Sequence, residues 1–153
     1  MKNIKRFILF MVGFCVYITC EVCFRCYSYP LMGVCAGIAI LLLDLLNNKI
    51  SWDMDLILQG CIGSVIITLM ELVVGEVYQF FSLPSMWDYS NMPLNFDGVI
   101  CLPFSLLWIV LSVIGIFIAD AINYYVFEEF PVPYYKVFGK TVIRFPEKHC
   151  KLK

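Results

Sequence analysis

Charged residues are scarce in this 153-residue chain, since Lys, Arg, Asp and Glu together make up only 15% of it. A soluble domain of this size needs more polar surface, because a large share of its residues must face water. The 61% of hydrophobic residues therefore indicates a membrane protein. Histidine is scarcer still. The single one, His149, leaves little material for a zinc site or for histidine-based catalysis.

Basic residues are almost absent from two of the connections between the hydrophobic runs. Four nearly uncharged runs, at residues 7–24, 31–46, 57–81 and 98–125, predict membrane-spanning helices, since about 20 apolar residues cross a bilayer. Of the eleven Lys and Arg residues, only Arg25 lies between runs one and two or between runs three and four. Basic residues stay cytoplasmic. We therefore predict an all-α, polytopic, four-transmembrane-helix bundle with both termini cytoplasmic, and expect it in a bacterial cytoplasmic membrane.

The chain divides into a transmembrane domain at residues 1–130 and a basic cytoplasmic tail at residues 131–153. Pro131, Pro133 and Pro146 oppose a long helix in this tail. The tail either lies against anionic headgroups or acts only as an orientation signal.

Cysteine is the most frequent potential metal ligand, with eight residues, three of them in the run Cys20-x-x-Cys23-x-x-Cys26. On a helix these three positions spread over about 120° and rise about 9 Å, so they cannot all meet one ion. We predict no metal site and no cofactor, and treat the cysteines as small packing residues.

Small and polar residues follow one face of each predicted span. In the third span Gly60, Ser64, Thr68, Glu71 and Gly75 fall within about 80° of the helical circumference. Small residues let membrane helices approach closely. The residues that we predict to pack helices together are Gly33, Gly37, Gly60, Ser64 and Gly75.

Glu71 is the strongest candidate for a functional residue. An acidic group in a span costs about 2.5–3.5 kcal/mol on insertion scales, so it is expected to face the protein interior. The candidate polar cluster near the outer boundary comprises Tyr17, Glu21, Arg25, Glu71 and Glu76. It forms either a binding or proton-linked site that opens outward, or polar contacts that lock the helices together.

The predicted outer loop at residues 82–97 is rich in turn-forming residues. Asp88 and Ser90 can bond to nearby backbone amides, and Asn95 or Asp97 can cap a helix that begins at Gly98. The residues of interest in and after this loop are Trp87, Asp88, Tyr89, Ser90, Pro93, Asn95 and Gly98. The loop is either an ordered hairpin tip or a lid over the polar cluster.

The motifs are Trp87-Asp88-Tyr89-Ser90, Pro93-x-Asn95-x-x-Gly98, Ile100-Cys101-Leu102 with Trp108, Thr68-x-x-Glu71-x-x-x-Gly75 and Tyr17-x-x-x-Glu21-x-x-x-Arg25. Together they resemble the small bacterial membrane proteins named Putative ABC-transporter type IV permeases, which have small vertebrate transmembrane relatives. The similarity covers about residues 13–133. It implies a transporter permease, and supplies no substrate or residue roles.

Two functions follow as alternatives. The first is a permease-like component that binds or moves a solute or lipid while a partner supplies energy; the second is a non-catalytic scaffold or regulatory subunit. We expect no enzyme, because the sequence has no histidine in the predicted spans and no nucleophile–base pair. The Gly139-Lys140-Thr141 sequence also has Tyr134 where a phosphate-binding loop needs glycine. The expected partners are the lipid bilayer and either further copies of the chain or other membrane or ATPase subunits, without nucleic acid.

Overall fold

The computed structural model describes residues 2–129 and 131–147. Four helices form most of this part of the chain, so the predicted helical fold class is confirmed. The helices are α1 Lys2–Arg25, α2 Pro30–Asn47, α3 Leu56–Phe80 and α4 Leu102–Tyr125. Two antiparallel hairpins, which an all-α prediction omits, are β1 Asn95–Phe96 with β2 Ile100–Cys101 and β3 Tyr134–Val137 with β4 Lys140–Arg144.

Three of the four helices are long and apolar enough to cross a membrane, with mean hydropathies of 2.2 for α1, 2.1 for α3 and 2.5 for α4. The apolar part of α2, Pro30–Leu46, is shorter, and the second predicted span is also the shortest of the four. Large hydrophobic side chains such as Phe7, Val65 and Val110 are exposed on the outer faces of the helices. These faces suit contact with lipid acyl chains.

The helices pack as two hairpins, α1 against α2 and α3 against α4, with α2 also lying against α4. At Gly37 an added Cβ atom would lie 2.6 Å from the Phe10 ring, and at Gly33 one would lie 2.7 Å from Phe14. The α3 residue Ser64 donates a 2.5 Å hydrogen bond to the Ser105 carbonyl of α4. An added Cβ atom at Gly60 would lie 3.0 Å from the Ile109 carbonyl oxygen. Four of the five predicted packing residues therefore lie at helix contacts.

The fourth helix begins at Leu102, so the prediction that it begins at Gly98 is wrong. Residues 95–101 form the β1–β2 hairpin instead, and Gly98 lies in its turn with a φ of +66°. Asn95 accordingly caps this turn, because its Oδ1 accepts a 3.2 Å hydrogen bond from the Gly98 amide. The N-cap position of α4 is occupied by Cys101, whose side chain makes no capping bond. The β1–β2 turn therefore forms in place of an earlier first turn of α4.

The tail folds back onto one end of the bundle as the β3–β4 hairpin. Tyr135 is 1% exposed, and its ring centroid lies 4.2 Å from that of Phe117 in α4. Asp55 joins the tail to α3, since its carboxylate accepts hydrogen bonds from the Ile57 amide at 2.9 Å and the Phe138 amide at 2.6 Å. The division into a domain at 1–130 and a tail at 131–153 stays a prediction, and residues 148–153 lie outside the described part.

An ion pair makes a second link between the tail and the α2–α3 loop. Lys136 Nζ lies 2.5 Å from Asp53 Oδ1, which also accepts a 3.0 Å hydrogen bond from the Tyr134 hydroxyl. The hydrogen bonds from Lys136 and Tyr134 hold the pKa of Asp53 below its usual range. The same contact with Asp53 raises the pKa of Lys136. Both shifts favour the charged forms, so the link is strongest near neutral pH.

Candidate functional site

Glu71 lies inside the bundle and is bound by two aromatic side chains from different elements. Its Oε2 accepts a 2.8 Å hydrogen bond from Trp108 Nε1 of α4. Its Oε1 accepts a longer bond, 3.4 Å, from the hydroxyl of Tyr89 in the outer loop. The carboxylate therefore connects α3, α4 and the loop at one point, and both of its oxygens face donors.

Tyr89 is placed by the loop around it rather than by Glu71 alone. Its ring stacks on Phe104 with a centroid distance of 4.6 Å, and the residue is 9% exposed. Its amide donates a 2.8 Å hydrogen bond to the Gly98 carbonyl, which ties it to the β1–β2 turn. Burial first, and then the nearby Glu71 carboxylate, raise the pKa of the Tyr89 phenol. The hydroxyl thus stays protonated and acts as a donor.

The remaining motif residues build the loop. Asp88 accepts hydrogen bonds from the Ser90 amide at 2.8 Å and the Ser90 hydroxyl at 2.5 Å, and these bonds lower the pKa of Asp88. Trp87 Nε1 donates a 2.8 Å bond to the Val99 carbonyl. Pro93 is exposed and lies in the turn that precedes β1. The loop is thus ordered by its own contacts, and it also covers Glu71 through Tyr89, so both sequence interpretations stay open.

Gly75 and Gly98 allow the loop to sit this close to α3. An added Cβ atom at Gly75 would lie 2.2 Å from Val99 Cγ1. One at Gly98 would lie 2.6 Å from Ser90 Oγ, at a positive φ that also favours glycine. Gly75 was predicted to pack helices, and the structure places it beneath the β1–β2 turn.

Three members of the predicted polar cluster, Tyr17, Glu21 and Arg25, form a group within α1. Glu21 accepts a 3.1 Å hydrogen bond from the Tyr17 hydroxyl, and it is also bound by Arg25 and by the Ser28 hydroxyl. The Arg25 guanidinium additionally lies 4.9 Å from the ring centroid of Tyr27. The charge of Glu21 is therefore balanced within its own helix and the turn that follows.

Glu71 and Glu76 do not join this ion pair. Tyr17 is close enough to Glu71 for the two groups to interact electrostatically, so the Glu21 and Glu71 groups are neighbours without a direct bond. Glu76 is exposed, and it makes no hydrogen bond or ion pair within residues 2–129 and 131–147. The structure thus brings four of the five predicted cluster residues near one another and leaves Glu76 outside.

A second polar group lies near the other end of the bundle and is not part of the predicted cluster. Lys5 Nζ lies 2.7 Å from Glu129 Oε2 and 3.5 Å from Asp44 Oδ1, and Asn123 Nδ2 donates a 2.6 Å bond to the same Asp44 oxygen. The predicted first span, residues 7–24, excludes Lys5, so its contacts with the bundle were not predicted. Its position four residues before Leu9, which is fully buried, could have revealed it.

No group of three or more His, Cys, Asp or Glu residues that could hold a metal ion occurs in the described part of the chain. Cys20, Cys23 and Cys26 are all exposed there. The Glu21 and Glu71 groups together contain two carboxyl groups, the donors Tyr17, Tyr89 and Trp108, and the Arg25 guanidinium. This arrangement is suited to proton exchange or to recognising a hydrogen-bonding solute.

Comparison with known families decides the membership of the chain. A family described as Putative ABC-transporter type IV matches residues 7–145. The chain belongs to this family. The match runs from the second turn of α1 through the other three helices, the outer loop and the β3–β4 hairpin, and it confirms the resemblance seen in the sequence. No curated protein and no solved structure matches the chain. The family and the apolar helices together make the chain a transporter-associated membrane protein.

Proposed function

We propose that this chain is the permease-like membrane component of a transporter, binding or moving a small solute or lipid. The observation that carries the proposal is Glu71, a carboxylate within a membrane-spanning helix and covered by the outer-loop residue Tyr89. Ionisable groups within membrane-spanning helices usually mark a transport or proton pathway. Membership of an ABC-transporter family supports the same assignment.

The proposal includes the setting of the chain. Both termini are cytoplasmic, the membrane is the bacterial cytoplasmic membrane, and the chain is not itself an enzyme. An ATPase subunit supplies the energy, and further copies or other membrane subunits complete a pathway that four helices are too few to enclose. The charge distribution supports this orientation, since Arg25 is the only basic residue of the sequence between the first and second or between the third and fourth predicted spans.

Glu71→Gln tests the proposal, with Glu76→Gln as a matched control because Glu76 is an exposed carboxylate on the same helix. Each variant replaces the chromosomal copy, and the complex is purified from native membranes in mild detergent. We expect the Glu71→Gln protein to fold and to co-purify with an ATPase subunit. Cells that carry it should nevertheless show the same growth or uptake defect as a strain from which the gene is deleted. An unchanged phenotype in a folded Glu71→Gln protein would remove the basis of the proposal.

A scaffold or regulatory subunit is the second candidate, favoured because both Glu71 oxygens accept hydrogen bonds from protein groups. A carboxylate used in this way can act purely as a contact between helices. In that case the phenotype of each variant should follow its loss of thermal stability. The permease predicts that function is lost without such a change.

Labelling with a membrane-impermeant maleimide in intact cells tests the orientation. Cys26 lies just after α1 at the end proposed to be outside, and Cys150 lies in the tail. We expect Cys26 to react and Cys150 to react only after the cells are opened, with Cys26→Ser and Cys150→Ser identifying each band. Rapid reaction of Cys150 in intact cells would reverse the orientation.

A further inference from the structure

The β3–β4 hairpin lies beside the helices as well as at their end. Tyr135 belongs to a buried cluster with Leu43 of α2 and Ile116 of α4. Its ring lies 4.2 Å from that of Phe117, which precedes the end of α4 by about 12 Å. With 24 residues, α4 is about 36 Å long, so it extends only about 3 Å beyond each side of a 30 Å bilayer core. The inner face of the hairpin therefore lies within the depth of the bilayer.

The tip of the hairpin is held at the first turn of α3. The Phe138 amide donates a 2.6 Å hydrogen bond to Asp55 Oδ2, and Asp55 is the N-cap of α3. The exposed apolar residues of α3 begin at once, with Ile57 45% and Leu58 51% exposed. Such apolar faces suit contact with lipid acyl chains. The tip thus stands at the boundary of a lipid-facing surface.

No contact among the described residues explains the side chain of Phe138. The residue is 85% exposed, and its φ of +49° is one at which asparagine or glycine is usual in a two-residue hairpin turn. Beside it, an added Cβ atom at Gly139 would meet nothing within 4 Å, so no part of the described chain covers the turn there. Phenylalanine here adds backbone strain and leaves an apolar ring in the open. Burial of the ring among acyl chains would offset both costs.

The charges of the hairpin are all positive, since it contains three basic residues and no acidic one. Lys136 is paired with Asp53, and Arg144 is paired with Glu147 at 2.9 Å. Lys140, at the start of β4, is exposed and makes no ion pair within residues 2–129 and 131–147. Its ammonium group is therefore available to an anion outside the chain, and the surface of a bilayer with anionic lipids supplies one.

We propose that the hairpin binds the membrane surface, with the Phe138 ring among acyl chains beside the first turn of α3 and Lys140 on the phosphate of an anionic phospholipid. Aromatic side chains are favoured at this depth, where an apolar ring and a cation can both be satisfied. The lipid is the occupant because the surface continues the exposed apolar face of α3 and carries a free positive charge. The proposal is independent of the transport function, which rests on Glu71.

The test uses the full chain with Phe138→Trp, labelled with 5-fluorotryptophan, in phosphatidylcholine nanodiscs into which phosphatidylglycerol is titrated. The variant adds one ¹⁹F resonance to those of the three native tryptophans. A phosphatidylcholine with a doxyl group near the start of its acyl chain reports contact with lipid, and an aqueous gadolinium chelate reports contact with water. Glu147→Trp is the matched control, because the Glu147 side chain is 73% exposed and lies in the tail beyond the hairpin.

We expect the doxyl lipid to broaden the resonance of residue 138 more than the chelate does, with the reverse order for residue 147. Added phosphatidylglycerol should shift the resonance of residue 138 in a saturable way. Lys140→Gln should lower the apparent affinity for phosphatidylglycerol about fivefold, the usual contribution of one lysine at an anionic surface. Lys140→Arg, which keeps the charge, should restore it.

Broadening of residue 138 by the chelate alone would place the tip in water and overturn the proposal. Protection from both probes would mean that a protein surface covers the tip, and would overturn it as well. An equal response to phosphatidylglycerol with Lys140 and with Lys140→Gln would have the same consequence.

Phe138→Asn gives a second measurement that needs no reporter. Asparagine suits the positive φ, so in a tip surrounded by water it should leave tryptic cleavage of the hairpin unchanged or slow it. In a tip held by lipid, the loss of the ring should speed cleavage in nanodiscs several-fold. Unchanged or slower cleavage would overturn the proposal even if Phe138→Trp fails to fold.

Discussion

Trp108 Nε1 donates a 2.8 Å hydrogen bond to Glu71 Oε2, joining α4 to α3 across a sequence separation of 37 residues. The indole N–H can only donate, and a carboxyl oxygen of Glu71 accepts this bond, so the pair is matched in chemistry. Tyr89 adds a second donor from the outer loop. This contact makes Glu71 part of the packing of the bundle and not only a candidate for transport.

Removing the indole donor should therefore destabilise the fold. We expect Trp108→Phe to lower the free energy of unfolding by about 1–3 kcal/mol, because it leaves a partly buried carboxylate oxygen without its donor. Unfolding in mixed micelles of dodecyl maltoside and SDS measures this loss. A double-mutant cycle with Glu71→Leu, which removes both acceptor oxygens, should give a coupling of about 0.5–3 kcal/mol. Strict additivity would mean that the two side chains do not interact.

The outer loop should be sensitive to the size of residue 75. An added Cβ atom at Gly75 lies 2.2 Å from Val99 Cγ1, so Gly75→Ala forces the β1–β2 turn away from α3 at about 1–3 kcal/mol. Val99→Ala in the same chain removes the clashing methyl group and should restore most of the stability. Gly115→Ala is the control, because its added Cβ meets only the Leu43 side-chain end at 2.9 Å. Equal losses in the two single variants would contradict this account.

Gly98 combines two constraints that can be separated. Gly98→Ala places a Cβ atom 2.6 Å from Ser90 Oγ at a φ of +66°. Ser90→Ala relieves the contact but leaves the backbone strain of about 1 kcal/mol. We therefore expect limited proteolysis to cut the loop fastest in Gly98→Ala and at an intermediate rate in the double variant. Full recovery in the double variant would show that the backbone conformation carries no strain.

Lys5 should be more important to stability than an ordinary terminal lysine. Its side chain is 11% exposed, and Lys5 Nζ lies 3.5 Å from Asp44 Oδ1. The Asp44 side chain is itself only 8% exposed. Lys5→Met leaves this buried carboxylate without its cation, and the expected loss is about 3–5 kcal/mol. Asp44→Asn added to Lys5→Met should recover part of it, because no charge then remains buried. Thermal unfolding in detergent compares the stability of the single and double variants. A double variant less stable than Lys5→Met would contradict this prediction.

The link between the tail and the α2–α3 loop should depend on pH. The pKa of Asp53 is lowered in the folded chain, so its contribution is present above the ordinary value of about 3.9 and is lost as pH falls through the lowered value. The pKa of Lys136 is raised, so its contribution is present below about 10.4 and is lost as pH rises through the raised value. Trp52 fluorescence, compared between wild type and Asp53→Asn, reports the change because Trp52 packs on Tyr134. Identical pH profiles would exclude this link.

The amino-acid sequence by itself determined the four helices and the small residues at helix contacts. Hydrophobic run length predicted the four helices within a few residues, because the bilayer requires a minimum apolar length. The spacing of Gly33, Gly37, Gly60 and Ser64 placed them at contacts, because a helix repeats its faces every 3.6 residues. The order of the outer loop followed from local hydrogen-bonding preferences such as those of Asp88 and Ser90.

The tertiary structure alone decided which groups meet over long sequence distances. Depth along the predicted span placed Glu71 and Glu76 in one polar cluster, yet Glu71 is bound by Trp108 and Tyr89 while Glu76 is exposed. The pairing of Lys5 with Asp44 and the burial of Tyr135 under a β-hairpin depend on helix rotation and chain reversal. These are set by packing across the whole bundle, which hydrophobic periodicity within a single segment does not encode.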